Sequence, residues 1–242
     1  MNDVLAPLRS VSLKEVFIQR FEELILTGKL SIGEKLPSER NLAAQLGVSR
    51  PVVHEGLVEL AAMGLVTLRP RVGTVVNDYR RQGALTLLNS LLRYQQGTFE
   101  PQLLRGMLDL RQLLETETAR LAATNIGSDD LSLLHQLLEQ EQHLDSHDVE
   151  AVVDIDFEFH HTIALASGNP LYAMLVKSCE PANKSLTRVF FSDPTVVPFV
   201  FDAHRQLVAA IADKKGDEAA AIMTTLLKHG KDVLNNMLRG RQ

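Results

Sequence analysis

Apolar residues recur three and four apart over Leu13–Thr27, at Val16, Phe17, Phe21, Leu24 and Ile25, and this spacing predicts an amphipathic helix. Lys29–Pro37 breaks the rhythm and reads as a loop, punctuated by Gly33 and Pro37. Ser38 is suited to accept from the free N–H groups of a helix start, and Gly47 to stop that helix. Ser49 is a good cap for the next helix, with Pro51 tolerated in its first turn. The apolar stripe of this second helix is Val53, Leu57 and Leu60, so Arg50 and His54 share a different face, one turn apart. After Gly64, the runs Leu65–Leu68 and Thr74–Val76 predict short strands, joined by the turn Arg69-Pro70-Arg71-Val72-Gly73. Two short helices meeting at a tight turn, then a basic-tipped hairpin, describe a winged helix-turn-helix.

Asn77–Arg81 is polar and reads as a boundary. Beyond it every pattern is helical: Ala84–Tyr94, Pro101–Thr124, Ser128–Leu144, Val149–Ala166, Asn169–Phe191, Val200–Ala212 and Gly216–Leu238. The expected fold is mostly α, with a winged helix-turn-helix over 1–78, a linker and connecting helix over 79–100, and an all-helical bundle over 101–242. No repeats or low-complexity tracts interrupt it.

Composition narrows the classes. A chain of 242 residues suits two domains. The single cysteine, Cys179, excludes an intramolecular disulfide framework and suits a reducing cytoplasm. No apolar run is long enough to span a bilayer, and the first residues lack the pattern of a signal peptide, so no membrane is expected. The formal net charge of −5 argues at first against nucleic acid. Residues 1–78, however, carry nine basic and nine acidic side chains, so the deficit lies in the helical part, and a local basic face can still bind DNA.

A helix-turn-helix reads bases with side chains near the start of its second helix, here Ser49, Arg50 and His54. Arginine suits bidentate contact with guanine. Arg40, at the start of the preceding helix, can clamp a phosphate, and Arg69 and Arg71 on the wing suit the minor groove. In the helical part, Asp156 and His160 lie four apart and so project from one helix face. His204 and His229 lie on two later helices. One carboxylate with these imidazoles suits Zn²⁺, Ni²⁺ or Mn²⁺ and leaves positions open for water or an anion. His135, His143, His147 and His161 read as ordinary core or surface histidines.

Residues 33–76 resemble the winged helix of the GntR family of bacterial transcription regulators, through Leu36-Pro37-Ser38-Glu39-Arg40, Leu46-Gly47-Val48-Ser49-Arg50 and Gly73-Thr74-Val75-Val76. Residues 101–230 resemble the helical FCD effector domain of its FadR subfamily. The marks are Leu110-Arg111, Glu115, Arg120-Leu121-Ala122-Ala123, Asp156, Phe159-His160, Ala166-Ser167-Gly168-Asn169-Pro170, His204 and Ala210-Ile211. Gly83-Ala84-Leu85 and Leu88 are similar to the linker of the fatty-acid regulators.

The resemblance implies a homodimer on a palindromic double-stranded operator, with Arg40, Arg50, His54 and the wing tip at the DNA. It also implies a small organic acid as effector and an Asp/His/His/His metal set. Two residues depart from the family: His54 stands where arginine is usual, and Arg71 where the wing tip usually has glycine. The family spacing of the last two histidines lands on Leu226, and reaches His229 only if Asp213–Gly216 is a lengthened turn. Arg111 stands at a pocket-facing family position, where it can bind an effector carboxylate or simply pair with Glu115 one turn away.

Three other readings are weighed against this regulator. One is a metal-free regulator responding to acyl-CoA, although Val233 stands where the fatty-acid regulator uses a serine. Another is a metal-dependent enzyme fused to a DNA reader, for which no nucleophile motif or phosphate loop is present. The last is an architectural DNA-binding protein with a structural metal.

Overall fold

The computed structural model describes residues 12–84, 86–87 and 101–239. The chain divides into two compact units, with the break between Gln96 and Gly97.

In the first unit, α1 (Leu13–Leu26) opens with a capping box in which Ser12 and Glu15 satisfy each other's backbone N–H groups. Helix α2 (Glu39–Leu46) is capped by Ser38 and stops at Gly47, which takes the left-handed conformation. Helix α3 (Arg50–Ala62) follows after Val48 and Ser49. Phe17, Phe21, Leu42, Val53, Leu57 and Leu60 close the core between the three helices. Gly56 allows α1 to cross α3 closely, because a Cβ there would lie 2.3 Å from the Phe17 ring. Val53, Leu57 and Leu60 are fully buried, so Arg50 and His54 are left exposed, as the stripe requires.

Strands β1 (Val66–Arg69) and β2 (Gly73–Val76) pair antiparallel, with Val66 opposite Val76 and Arg69 opposite Gly73. The segment expected to be a plain loop adds a further edge to this wing: Gly33 donates to Val76, Val76 to Glu34, and Leu36 to Thr74. After the wing, α4 (Tyr79–Gln82) and Leu87 pack back onto the same core. The rest of the expected linker helix over Ala84–Tyr94 lies outside the described residues.

The second unit contains seven α-helices among the described residues: α5 (Pro101–Asn125), α6 (Ser128–His143), α7 (Val149–Ala166), α8 (Pro170–Ser178), α9 (Glu180–Phe190), α10 (Val197–Ala212) and α11 (Gly216–Arg239), with a short 3₁₀ turn, Pro194–Val196, leading into α10. Helix α7 is buried on nearly every face, through Val152, Val153, Phe159, Ile163 and Ala164 among others, and α5, α6, α8 and α9 surround it. Helix α10 packs on α5, α6 and α11.

Two expectations change here. The single helix over Asn169–Phe191 is divided at Cys179, because Pro181 offers no N–H and would crowd the carbonyl of Lys177. Ser128, a residue suited to cap the helix expected over Ser128–Leu144, is instead the first residue of α6, and Gly127 is its cap.

Candidate functional site

Arg40, Ser49, Arg50, His54, Arg69 and Arg71 are all exposed on the first unit. Among the described residues, no ion pair occupies the guanidinium groups of Arg40, Arg50, Arg69 or Arg71, so these charges are free for an anionic partner. Ser49 caps α3 through its backbone shape alone, its hydroxyl making no capping hydrogen bond. The N-terminus of α3 therefore presents unsatisfied donors beside Arg50. His54 is held by Glu39 of α2, with Nδ1 2.8 Å from the carboxylate. Arg71 takes the left-handed conformation, with φ of 62°, so the wing keeps its tight turn without the usual glycine.

In the second unit, Asp156, His160 and His204 converge. Their ligand atoms lie within 4.8 Å of one another, and all three residues are buried. Asp156 Oδ1 is 3.7 Å from His160 Nε2 and 3.8 Å from His204 Nε2. Two donors bound to one ion at about 2.0–2.1 Å each can stand at most about 4.2 Å apart, so both separations suit a shared ion.

Two carboxylates that the sequence reading did not assign to the site stand behind the imidazoles. His204 Nδ1 lies 2.6 Å from Glu141 Oε1 of α6. A carboxylate can only accept, so Nδ1 carries the proton and Nε2 is left with its lone pair toward Asp156. His160 Nδ1 lies 2.7 Å from Glu115 Oε2 of α5, close but off the line of a good hydrogen bond. His204 Nε2 is buried with no hydrogen-bond partner. Glu115 was visible as a mark of the family resemblance and as an i, i+4 partner of Arg111, but not as a neighbour of His160, and nothing local in the sequence marks Glu141.

Arg111 donates to Glu115 at 2.8 Å and approaches Asp156 at 3.7 Å. Burial works against both charges of the Arg111–Glu115 pair. Arg111 nonetheless holds Glu115 well below the usual carboxylate range, as His160 also does when its ring is charged, while Glu115 and Asp156 raise the pKa of Arg111. With neutral imidazoles, this buried cluster sets three carboxylates (Glu115, Glu141 and Asp156) against one guanidinium. Two negative charges remain, the complement of one divalent cation, and buried charge without such compensation is costly.

Beside the cluster lies a cavity of about 30 Å³, lined by Arg111, Asp156, His160, Phe191, Leu226 and Lys231, among others. That is room for about one water molecule.

His229 does not join the cluster. It lies on a different face of α11, 4.2 Å from the Phe199 ring by centroid and 6.2 Å from Phe190. The turn before α11 is closed tightly by Lys214 donating to Ile211 and Lys215 donating to Ala210, with Lys214 left-handed at φ 62°. From that start, the register of α11 brings Leu226, Gly230 and Lys231 to the cavity instead.

A winged helix with unpaired, exposed arginines, followed by an all-helical unit with a buried cluster of ligand atoms, is the architecture of a DNA-binding regulator with a separate helical domain. The family comparisons agree. Residues 13–76 match the model of the bacterial regulatory proteins of the gntR family, and residues 106–229 match the FCD domain. The chain belongs to the GntR family, as a bacterial transcription regulator with an FCD effector domain.

It is 31% identical to the HTH-type transcriptional regulator LutR of Bacillus subtilis, over 88% of this chain and 96% of that one. It is 28% identical to a fatty acid metabolism regulator protein of Shewanella pealeana, over 81% of this chain and 80% of the relative. Among solved structures, that of Lar, which controls the expression of the Listeria monocytogenes agr system, shares the fold with a TM-score of 0.61. That match has 18% identity and covers 95% of this chain and 99% of the other. Among the described residues, no helix is long and apolar enough to cross a membrane.

Proposed function

We propose that this regulator binds a palindromic operator as a homodimer, and that a small organic acid held at a metal site in the FCD domain sets its DNA affinity. Arg50, with Ser49 and His54, reads bases at the start of α3, while Arg40 and the wing arginines Arg69 and Arg71 contact phosphates and the minor groove. One recognition helix reads only a few base pairs, so useful specificity calls for two half-sites. The apolar residues Leu113, Leu171 and Met174, exposed by 71%, 64% and 62%, offer the second unit a surface for a second copy.

The reading rests chiefly on one observation: three buried ligand atoms converge, and each imidazole has a carboxylate at its far nitrogen. Asp156, His160 and His204 would hold the ion, which leaves coordination positions open for an anion. Effector binding then favours one arrangement of the two winged helices over another. Several relatives are named fatty acid metabolism regulators, which keeps an acyl-CoA effector as the second reading. The small volume of the cavity favours a short acid over an acyl chain.

The test is metal analysis of purified protein, with operator binding measured before and after chelation. Stoichiometric metal in the wild type, lost in His160→Ala and His204→Ala, is expected. Full effector response in metal-free protein overturns the reading and puts acyl-CoA first.

A further inference from the structure

The effector needs a cationic anchor, and Arg111 is the evident candidate from sequence. Its guanidinium, however, is already engaged. Its side chain is only 15% exposed and it serves two buried carboxylates, Glu115 and Asp156. Turning it toward an incoming acid would leave both of these without their counter-charge, the costly half of breaking a buried pair. A metal does not supply surplus charge either. Two positive charges from a divalent ion, with Arg111, only balance the three carboxylates of the cluster. An anion approaching this cavity therefore meets a site that is neutral overall and needs one further cation.

The cavity wall has one. Lys231 of α11 lines the same cavity as Arg111, Asp156 and His160. Its ammonium is paired with Asp109 of α5 at 2.6 Å, where the Lys231 side chain is 30% exposed and that of Asp109 55%. A pair this open to water is weakly held. The stem of lysine is flexible and its charge is not tied to one geometry, unlike the fork of Arg111. Lys231 can change partners at little cost where Arg111 cannot.

We infer that Lys231 is the effector-binding cation of this regulator: it leaves Asp109 to pair with the carboxylate of a small organic acid at the solvent-facing edge of the cavity, while Arg111 stays a structural counter-ion. The inference rests on the metal-site reading above and assigns the acid's second point of attachment. It makes Asp109 an internal competitor of the ligand, a role that a purely structural surface pair would not have.

The experiment titrates acetate, succinate and citrate into the full-length protein preloaded with Ni²⁺, by calorimetry, for wild type, Lys231→Met, Asp109→Asn and the double variant. At least one acid is expected to bind wild type. Lys231→Met should weaken that acid about tenfold, the scale of one lost charge-assisted contact. Asp109→Asn should strengthen it severalfold, and the double variant should match Lys231→Met. Equal binding to wild type and Lys231→Met, weaker binding to Asp109→Asn, or no acid bound by wild type overturns the assignment. Metal content of the same samples separates the two readings. Wild type that cannot be loaded defeats the metal site itself, whereas loaded wild type that fails the lysine test defeats only the anchor.

Discussion

Glu141 gives the most searching test of the site, because it sits on a helix that contributes no metal ligand. It is 3% exposed and lies 2.6 Å from Nδ1 of His204, which is itself fully buried. Its role is to keep the proton on Nδ1 and so leave Nε2 free to ligate. Glu141→Gln keeps an oxygen that can accept but removes the charge. A hydrogen bond to a charged group contributes about 1.5–3 kcal/mol and a neutral one about 0.5–1.5 kcal/mol, so the loss is about 1–1.5 kcal/mol. That weakens the metal roughly five- to tenfold. Glu141→Ala also leaves a buried N–H without a partner, and the loss should reach roughly 10–100-fold. The assay is competition for Zn²⁺ or Ni²⁺ against a chromophoric chelator, with far-UV circular dichroism confirming that each variant is folded. The graded order wild type, Gln, Ala is the expected result. If both folded variants bind metal as wild type does, Glu141 does not orient a ligand, and the assignment of Nε2 falls with it.

Arg50→Ala should weaken operator binding by about 1–3 kcal/mol and relax specificity at one position per half-site, read by fluorescence anisotropy at fixed salt; unchanged binding refutes its role. His229→Ala should keep metal affinity within about twofold, because its ring packs on Phe199 outside the cluster; a loss as large as that of His204→Ala would restore it as a ligand. Gly64→Ala should destabilise the winged helix by about 2 kcal/mol or more, since a Cβ there meets the Gln82 carbonyl oxygen at 1.9 Å and φ is +78°. Urea unfolding of the full chain should show this as an early loss of the first unit.

Local rules served the first unit well. Its helix stops, caps and strands depend on neighbours a few residues away, so Ser38, Gly47 and the Val53/Leu57/Leu60 stripe were legible from spacing alone. What escaped was non-local. The pairing of Gly33–Leu36 with β2 joins segments some forty residues apart, and a stretch punctuated by Gly33 and Pro37 carries no alternation to announce it. In the second unit, Val149–Ala166 was legible to the residue, because it begins at the Asp148 cap and ends beside Gly168. The break at Cys179 was missed although Pro181 is visible in the chain, since a helical apolar pattern runs through it.

The site divides along the same line. Asp156 and His160 are set on one face by helical spacing, and that part could be read directly. His204 and Glu141 are 63 residues apart and meet only through the packing of α10 on α6. His229 failed for the complementary reason. Its chemistry is right, but the tight turn at Lys214 fixes the phase of α11, and a histidine three residues past Leu226 faces phenylalanine instead of the cavity. Residue type can nominate a ligand, but helix phase decides whether it arrives. Phase is set at the turn, by backbone hydrogen bonds that no count of residues between two histidines can reveal. The same phase that keeps His229 outside the cluster brings Lys231 to the cavity wall, so both placements have one structural cause.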